Sequence, residues 1–230
     1  MAVETASARA ASTFKRPKTL STDRDTSTVQ QPTIKTPEFD LYIVKHFFEA
    51  EMCREIVNDM RRSTVEPALT YGKGEATVDQ QVRRVSRITP SSDTILYVAR
   101  RLEAHRLMLE QHFHIELGAY EEPQFLRYCV GDFFVAHQDG NTGLINLESD
   151  RTRRISITLF LNDQSAPERD DNDSYSGGWL TFSDWRTGAR QEVSGEAGML
   201  IAFRSETTHE VTPIVHGERY AIVTWFSLRT

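Results

Sequence analysis

The sequence predicts a mostly β fold with α-helices, in which a double-stranded β-helix (jelly roll) core is buttressed by N-terminal helices. Two observations lead to this prediction. Apolar residues at helical spacing lie in the N-terminal part of the chain, whereas from about residue 124 onward short β-rich runs follow one another, separated by Gly, Asp, Asn and Pro. Many short strands with turn signals are typical of a sandwich or barrel. With 230 residues, 39% of them hydrophobic, the chain is long enough to bury one core.

The chain divides into a tail and one domain. Residues 1–36 are polar, rich in Ser and Thr, and without hydrophobic periodicity. Such a segment cannot bury enough apolar surface to offset the entropy of ordering it. We therefore expect a disordered or loosely attached tail over residues 1–36 and a single domain over residues 37–230, with its core at about 124–226.

The predicted helices lie in the N-terminal part of this domain. A strand over residues 39–44 leads into a first helix, which is marked by apolar residues at helical spacing: Phe48, Met52, Ile56 and Met60. A second helix follows a predicted strand over residues 82–88. Ser91 is a suitable N-cap for it, and we expect it to end near Gly118.

The segment between the first helix and the 82–88 strand has loop character. Residues 68–81 include two glycines that flank a lysine, but their spacing matches no phosphate-binding motif. A surface loop is the simplest interpretation, and a lid over a site is the alternative.

The second half of the chain supplies the predicted strands of the core. They cover residues 125–130, 133–137, 155–161, 179–183, 199–203, 210–214 and 219–227. On the 155–161 strand, alternation places Ser156, Thr158 and Phe160 on one face. Hydroxyl groups that face the interior of a barrel need partners, so Thr158 is a candidate ligand contact.

Candidate metal ligands lie at two places in this strand-rich half. His137 and Asp139 are two residues apart, and alternation along an extended strand would point both side chains at one centre. His209 lies on a later strand and supplies a third ligand. Two histidines and one carboxylate on one face of an octahedron leave open positions, which is the arrangement of non-haem Fe(II) oxygenases.

Three motifs in the sequence resemble the motifs of a known protein family. They are Tyr128-…-Gly131-…-His137-Gln138-Asp139, then Gly177-Gly178-Trp179-Leu180-Thr181-Phe182, and then the run from His209 to Phe226. Together they resemble the catalytic core of the prolyl 4-hydroxylase-like Fe(II)/2-oxoglutarate dioxygenases. The resemblance covers roughly the last hundred residues, and its C-terminal motif is the most specific part.

The resemblance implies a cofactor set and roles for several residues. His137, Asp139 and His209 would bind Fe(II), and the planar guanidinium of Arg219 would bind the distal carboxylate of 2-oxoglutarate. Tyr128 would contact the same cosubstrate, although a core tyrosine is an alternative. Ascorbate is among the candidate reductants.

Other positions depart from the family pattern or leave alternatives open. Some relatives have a tyrosine where Phe160 stands, so Thr158 or Tyr128 is expected to supply the missing hydrogen bond. Trp225 would line the substrate side of the site, or else serve as a core aromatic. Arg153 matches a family arginine that contacts substrate, but Arg154 beside it leaves the register open.

The implied reaction is hydroxylation of a C–H bond, with O2 as oxidant and succinate and CO2 as co-products. The resemblance favours a prolyl residue of a peptide or protein as substrate. A small molecule or free amino acid is the first alternative, and a non-catalytic jelly-roll binding module is the second. An iron halogenase is disfavoured because Asp139 provides the carboxylate that such an enzyme would lack.

Charge and composition exclude some other classes. The net charge of −6 argues against a nucleic-acid groove, despite the local basic run from Arg83 to Arg87. No apolar run is long enough for a membrane span. Cys53 and Cys129 are expected to be free thiols, and the cytoplasm is the expected location.

Overall fold

A computed structural model describes residues 39–229 apart from residues 68–69, 73–74, 78–79, 141–150 and 166–172, and over residues 70–72 and 75–77 it describes the backbone alone. The tail predicted for residues 1–36 lies outside the described residues, as do residues 68–69, 73–74 and 78–79 of the predicted lid over residues 68–81. Two helices are described, Ala50–Arg61 (α1) and Ser92–Phe113 (α2). The strands are Leu41–Val44 (β1), Thr64–Pro67 (β2), Thr70–Gly72 (β3), Glu75–Thr77 (β4), Arg83–Arg84 (β5), Ser86–Thr89 (β6), Leu117–Tyr120 (β7), Gln124–Tyr128 (β8), Phe133–His137 (β9), Arg153–Phe160 (β10), Tyr175–Gly177 (β11), Leu180–Asp184 (β12), Ala189–Val193 (β13), Leu200–Arg204 (β14), His209–Val211 (β15), Ile214–Gly217 (β16) and Arg219–Leu228 (β17).

Two antiparallel sheets form the body of the domain. The larger sheet has the strand order β1-β14-β10-β17-β8-β6-β2, with β7 also paired to β17. The smaller sheet has the order β13-β12-β15-β9-β5, and two-stranded pairs are formed by β11 with β16 and by β3 with β4. Neighbours in both sheets come from distant parts of the chain, which is the connectivity of the predicted double-stranded β-helix.

Both helices pack on one face of the larger sheet. Apolar side chains of α1 and α2 share a buried cluster with every second residue of β10 and β17, including Ile155, Ile157, Ile222 and Phe226. This cluster is the main core of the domain, and it confirms that the helices buttress the sheet. No helix within the described ranges is both long and apolar enough to cross a membrane.

The opposite face of the larger sheet turns toward the smaller sheet. A second cluster, with Phe160 from β10 and Phe182 from β12, joins the two sheets at one end. The predicted alternation on β10 is therefore confirmed, because Ile155 and Ile157 face the helices whereas Phe160 faces the smaller sheet.

A hydrogen-bonded junction fixes the start of α2 against the end of α1. Ser91 is the N-cap, as predicted, and its Oγ accepts a hydrogen bond from the Thr94 N–H at 3.4 Å. The Asp59 carboxylate accepts hydrogen bonds from the Ser91 N–H at 3.0 Å, from Ser91 Oγ at 2.7 Å and from Thr94 Oγ1 at 2.7 Å. Burial acts to raise the pKa of Asp59, but these hydrogen bonds outweigh it and lower that pKa.

Some predicted boundaries are wrong. The second helix ends at Phe113 rather than near Gly118, because His114 takes a left-handed conformation (φ 54°). The predicted strand over residues 82–88 is divided between the two sheets at Val85. The loop predicted for residues 68–81 contains the β3–β4 pair.

Candidate active site

Two adjacent strands of the smaller sheet bring the predicted metal ligands together. His137 is the last residue of β9 and His209 is the first residue of β15, and the two face each other in the strand pairing. Asp139 lies beyond the end of β9, where its N–H donates to the Ser205 carbonyl at 2.9 Å. The side chains of His137 and Asp139 point at one centre, as predicted, although Asp139 lies beyond the end of β9 and the turn before β15 holds its backbone.

The three side chains form a cluster with the geometry of a metal site. His137 Nε2 lies 3.4 Å from Asp139 Oδ1, and His209 Nε2 lies 3.5 Å from Asp139 Oδ2. One ligand atom from each residue lies within 4.8 Å of the others. A single ion can therefore bind two imidazoles and one carboxylate here, which is the facial arrangement that suits Fe(II).

Backbone carbonyls orient both imidazoles. The Nδ1–H of His137 donates to the Val135 carbonyl at 2.8 Å, and the Nδ1–H of His209 donates to the Thr207 carbonyl at 3.0 Å. Each bond leaves Nε2 as the ligand atom, as in other histidine metal sites. The Phe134 ring stacks on His137 with ring centres 3.6 Å apart, so this imidazole is held on both its edge and its face.

The electrostatics keep the ligands in their metal-binding forms. Burial lowers the pKa of His209 to about 4, against the opposing attraction of Asp139, so this imidazole is neutral at neutral pH. Burial acts to raise the pKa of Asp139, but His209 and His137 outweigh it and hold that pKa well below its usual range. Neutral imidazole and ionised carboxylate are the forms that bind a metal ion.

A cavity of about 220 Å³ between the two sheets contains the three ligands and the other predicted site residues. The larger sheet contributes Tyr128, Thr158, Arg219 and Trp225 to its wall, and Arg153 lies at the same cavity. The sequence therefore identified side chains that the fold brings to one place, although their separation in the sequence exceeds ninety residues between Tyr128 and Trp225.

Arg219 is the most unusual of these side chains. It is 1% exposed, and its guanidinium carbon lies 5.0 Å from the ring centres of both Tyr128 and Phe160. Its Nε has no hydrogen-bond partner, and no carboxylate of the described residues forms an ion pair with it. Because an uncompensated buried charge is costly, this site fits the carboxylate of an anionic ligand such as 2-oxoglutarate.

The two predicted hydroxyl contacts lie in the same cavity wall. Tyr128 faces Arg219 directly across the pairing of β8 with β17, and Thr158 is 6% exposed. Ser156, on the same face of β10 as Thr158, bonds to Ser205 Oγ at 3.0 Å instead. Of the two hydroxyls on this face of β10, Thr158 is therefore the one that lines the cavity.

The predicted substrate-side residues form a stacked pair. The Arg153 guanidinium carbon lies 3.9 Å from the centre of the Trp225 ring, and Glu121 binds this guanidinium through two contacts at 2.5 and 2.6 Å. Arg154 bonds to the carbonyls of Arg151 and Arg153. Of the two adjacent arginines, Arg153 is the one that lines the cavity.

Three further residues in or beside the site were not predicted from the sequence. Gln138 donates to the Glu206 carbonyl at 2.7 Å and so joins the segment after β9 to the turn before β15. Arg83 lines the cavity with its guanidinium carbon 4.8 Å from the Phe134 ring centre, although its basic run was interpreted only as a charge patch. Tyr175 is fully buried beside Arg219, and no sequence pattern indicated it.

Comparison with known proteins supports the same interpretation. Residues 123–227 match the model of the 2OG-Fe(II) oxygenase superfamily. A PKHD-type hydroxylase of Stenotrophomonas maltophilia (strain R551-3) is 35% identical over 153 residues, which cover 66% of this chain and 60% of that protein. The match thus spans less than two thirds of that relative's length.

Two solved structures share the fold. A Pseudomonas putida prolyl-4-hydroxylase superposes with a TM-score of 0.63 at 24% identity, covering 84% of this chain and 95% of that one. A prolyl hydroxylase from Trichoplax adhaerens, in complex with a hypoxia inducible factor oxygen degradation domain peptide fragment, superposes with a TM-score of 0.64 at 16% identity, covering 83% and 84% of the two chains. At these identities the likeness concerns the fold.

Proposed function

We propose that this chain, whose residues 123–227 match the model of the 2OG-Fe(II) oxygenase superfamily, is an Fe(II)- and 2-oxoglutarate-dependent hydroxylase that acts on a prolyl residue of a peptide or protein. The co-products are succinate and CO2. The observation that carries this proposal is the buried guanidinium of Arg219, which has no carboxylate partner among the described residues and shares a cavity with the His137, Asp139 and His209 cluster.

Each group of residues has a separate role in the proposed reaction. His137, Asp139 and His209 bind the metal, and Arg219 binds the distal carboxylate of 2-oxoglutarate through charge-assisted hydrogen bonds. A ferrous ion bound here supplies the activation of O2 that is coupled to decarboxylation of the keto acid. The protein contributes orientation and exclusion of water, for which Leu180, Val211, Val223 and Trp225 provide apolar walls.

Tyr128 and Thr158 are positioned to contact the cosubstrate. Both line the cavity together with Arg219, on the larger sheet.

Trp225 and Arg153 form the adjoining wall, and we assign the substrate to their side. The stacked guanidinium and indole offer a flat surface to a peptide. A peptide substrate is further supported by the peptide bound to the Trichoplax adhaerens structure. A cytoplasmic location is part of the same proposal.

The proposal is tested with purified protein, Fe(II), 2-oxoglutarate and O2. Prolyl peptides are compared with free proline and other free amino acids, and succinate release is measured together with substrate mass. We expect succinate in proportion to a product that gains one oxygen atom, labelled when the gas is ¹⁸O₂. Product from free amino acids alone would replace the peptide substrate with a small molecule. The absence of succinate with every substrate would favour a binding module.

A further inference from the structure

The outer face of α2 carries a stripe of side chains that points away from the domain. The inner face of this helix contributes four buried residues to the main core: Val98, Leu102, Leu109 and Phe113. On the opposite side, four residues follow one another at spacings of four, three and four, and we call them the α2 stripe: Leu96, Arg100, Glu103 and Leu107. The two leucines at its ends are 48% and 60% exposed, so the stripe begins and ends in apolar surface that the domain itself does not cover.

Further apolar side chains border the α2 stripe along one side. Met108 is 46% exposed and Tyr97 is 37% exposed, and Ala104 between them is also exposed. A helix face that meets only water is normally polar, whereas exposed apolar side chains that lie next to one another are typical of protein–protein contact sites. The outer face of α2 therefore has the composition of a contact surface.

The two charged residues of the α2 stripe differ in their bonding. Hydrogen bonds from Arg106 to both oxygens of Glu103, at 2.8 and 2.6 Å, lower the pKa of this carboxyl group, so it is ionised at neutral pH. Each carboxylate oxygen can still accept a further bond. Arg100 forms no ion pair with any carboxylate that the structure describes, whereas its neighbour Arg101 donates to the Phe47 carbonyl at 3.0 Å. The stripe thus presents a cation and a carboxylate that can both accept a partner from outside the chain.

The order of residues along the α2 stripe is self-complementary. The interval from Leu96 to Arg100 equals the interval from Glu103 to Leu107. When a second copy of α2 runs antiparallel across the stripe, with a two-fold axis between residues 101 and 102, each leucine lies opposite the other leucine and each charge lies opposite the opposite charge. Every contact then occurs twice, because a two-fold axis exchanges the two copies.

We propose that the α2 stripe is a dimer interface on which a second copy of this chain packs antiparallel, with Leu96 against Leu107 and Arg100 against Glu103 across the two-fold axis. The leucine contacts remove apolar surface from water at both ends, and the two central ion pairs fix the register. A second copy is the partner of choice because this chain itself supplies both halves of the match.

The geometry also sets the strength of the dimer and its relation to the active site. One helix face is smaller than a standard protein–protein interface, so we expect a reversible dimer whose population depends on protein concentration. The helices pack on one face of the larger sheet and the cavity lies on the other. Dimerisation through α2 therefore leaves both cavities open, and this inference does not rest on the function proposed above.

The test measures the mass of the full chain by sedimentation velocity over a wide range of protein concentration. We expect wild-type protein to change from monomer to dimer as the concentration rises. Arg100→Glu turns both central ion pairs into like-charge contacts, so its dimer dissociation constant should rise about tenfold or more. This variant keeps the contact between Glu103 and Arg106 within the helix, so its monomer should unfold at the wild-type temperature. Wild-type protein that stays monomeric at every concentration would overturn the inference.

Exchanging the two charges tests the antiparallel register. Glu103→Arg alone should also weaken the dimer, because it too places like charges opposite each other. Combining Arg100→Glu with Glu103→Arg in one chain restores opposite charges at both central positions, so we expect the dissociation constant to return close to that of wild-type protein. An equal mixture of the two single variants should likewise form a mixed dimer. A combined variant that dimerises no better than Arg100→Glu would overturn the inference.

Two substitutions outside α2 are the matched controls. Arg186→Glu makes the same change of charge at an exposed arginine in the turn between β12 and β13. Val215→Ser removes an apolar side chain of β16 that is 63% exposed, close to the 60% of Leu107. We expect Leu107→Ser to weaken the dimer and both controls to leave it unchanged. A control that weakens the dimer as much as its α2 counterpart would place the interface elsewhere and overturn the inference.

Discussion

Buried polar groups on the two faces of β17 differ in whether they form hydrogen bonds within the protein. On the face that packs against the helices, Tyr220 donates to Glu218 at 2.6 Å and Thr224 Oγ1 donates to the Glu121 carbonyl at 2.6 Å. On the face that lines the cavity, Arg219 keeps an Nε without a partner. Stability alone would favour satisfied groups on both faces. The difference indicates that the cavity side is completed by a ligand.

This contrast separates two kinds of substitution. Changes on the helix face remove interactions that exist in the ligand-free protein, so they should lower its stability and leave ligand affinity unchanged. Changes on the cavity face remove groups that still lack their partners, so they should lower ligand affinity at little or no cost in stability. A stability–activity trade-off of this kind is common at functional sites.

The largest expected effect belongs to the metal ligands. His209→Ala or His137→Ala removes one of three ligands, and we expect both bound metal and turnover to be lost. The measurement is the Mn(II) or Fe(II) content of the purified protein after dialysis against a known metal concentration. His112→Ala is the matched control, since His112 lies on α2, where it contacts Asp40 at 3.0 Å. Full metal content in His209→Ala would remove that residue from the site.

Arg219→Met should have the next largest effect. The variant loses the charge-assisted bonds to the distal carboxylate, so we expect the 2-oxoglutarate Kd to rise about a hundredfold, roughly 2.7 kcal/mol. The ligand-free protein should not lose stability, because an apolar side chain of similar volume replaces an uncompensated buried charge. Calorimetric titration and urea unfolding give the two quantities.

Arg204→Met is the control on the helix side. The Arg204 guanidinium donates to the Phe113 carbonyl at 2.8 Å and lies 5.6 Å from the Phe113 ring centre. This variant should lose stability and retain 2-oxoglutarate affinity. If Arg219→Met instead destabilises the ligand-free protein as much as Arg204→Met does, then Arg219 is a structural arginine and the contrast between the faces fails there.

The sequence alone predicted those parts of the site that local pattern controls. Alternation on β10 predicted that Thr158 lies on the cavity face, and the C-terminal motif predicted that His209 and Arg219 belong to one site. All three residues line the cavity. Asp139 also points at the predicted centre, although a backbone contact to Ser205 in the turn before β15 holds it there rather than strand pairing. Strand periodicity alone does not predict that contact.

The positions of groups that depend on tertiary packing could not be predicted from the sequence. Tyr175 reaches Arg219 because β11 pairs with β16, and no local pattern predicts that pairing. The division of residues 82–88 between two sheets at Val85 likewise depends on which distant strands are available, and it is what brings Arg83 to the cavity. The end of α2 was misjudged because a left-handed histidine, rather than a glycine, terminates it.

Asp59→Ala tests the expectation that substitutions on the helix side lower stability and leave ligand affinity unchanged. The variant loses three hydrogen bonds that join the end of α1 to the N-cap of α2. We expect a loss of about 1 to 2 kcal/mol in the free energy of unfolding, with 2-oxoglutarate affinity unchanged.

The pH dependence of this loss follows from the lowered pKa of Asp59. A carboxylate whose folded pKa lies below its unfolded value stabilises the protein above the unfolded pKa, and it loses that contribution as the pH falls through the folded pKa. The difference between wild-type protein and Asp59→Ala should therefore be constant near neutral pH and shrink below about pH 4. Urea unfolding at several pH values measures it, and a difference that grows on acidification would contradict the assignment.

Thr158→Val should have the smallest effect. Because threonine occurs on both faces of the larger sheet, this variant and Thr224→Val compare the two faces with the same residue type. Thr158 lines the cavity, whereas Thr224 on the helix face already donates to the Glu121 carbonyl. We expect Thr158→Val to raise the 2-oxoglutarate Kd about fivefold, roughly 1 kcal/mol, with little change in stability. Thr224→Val should do the reverse, since it removes a bond that the ligand-free protein already makes. If both variants lose stability and neither loses affinity, Thr158 belongs to the core, and the ligand-binding part of the cavity face narrows to Arg219 and its immediate neighbours.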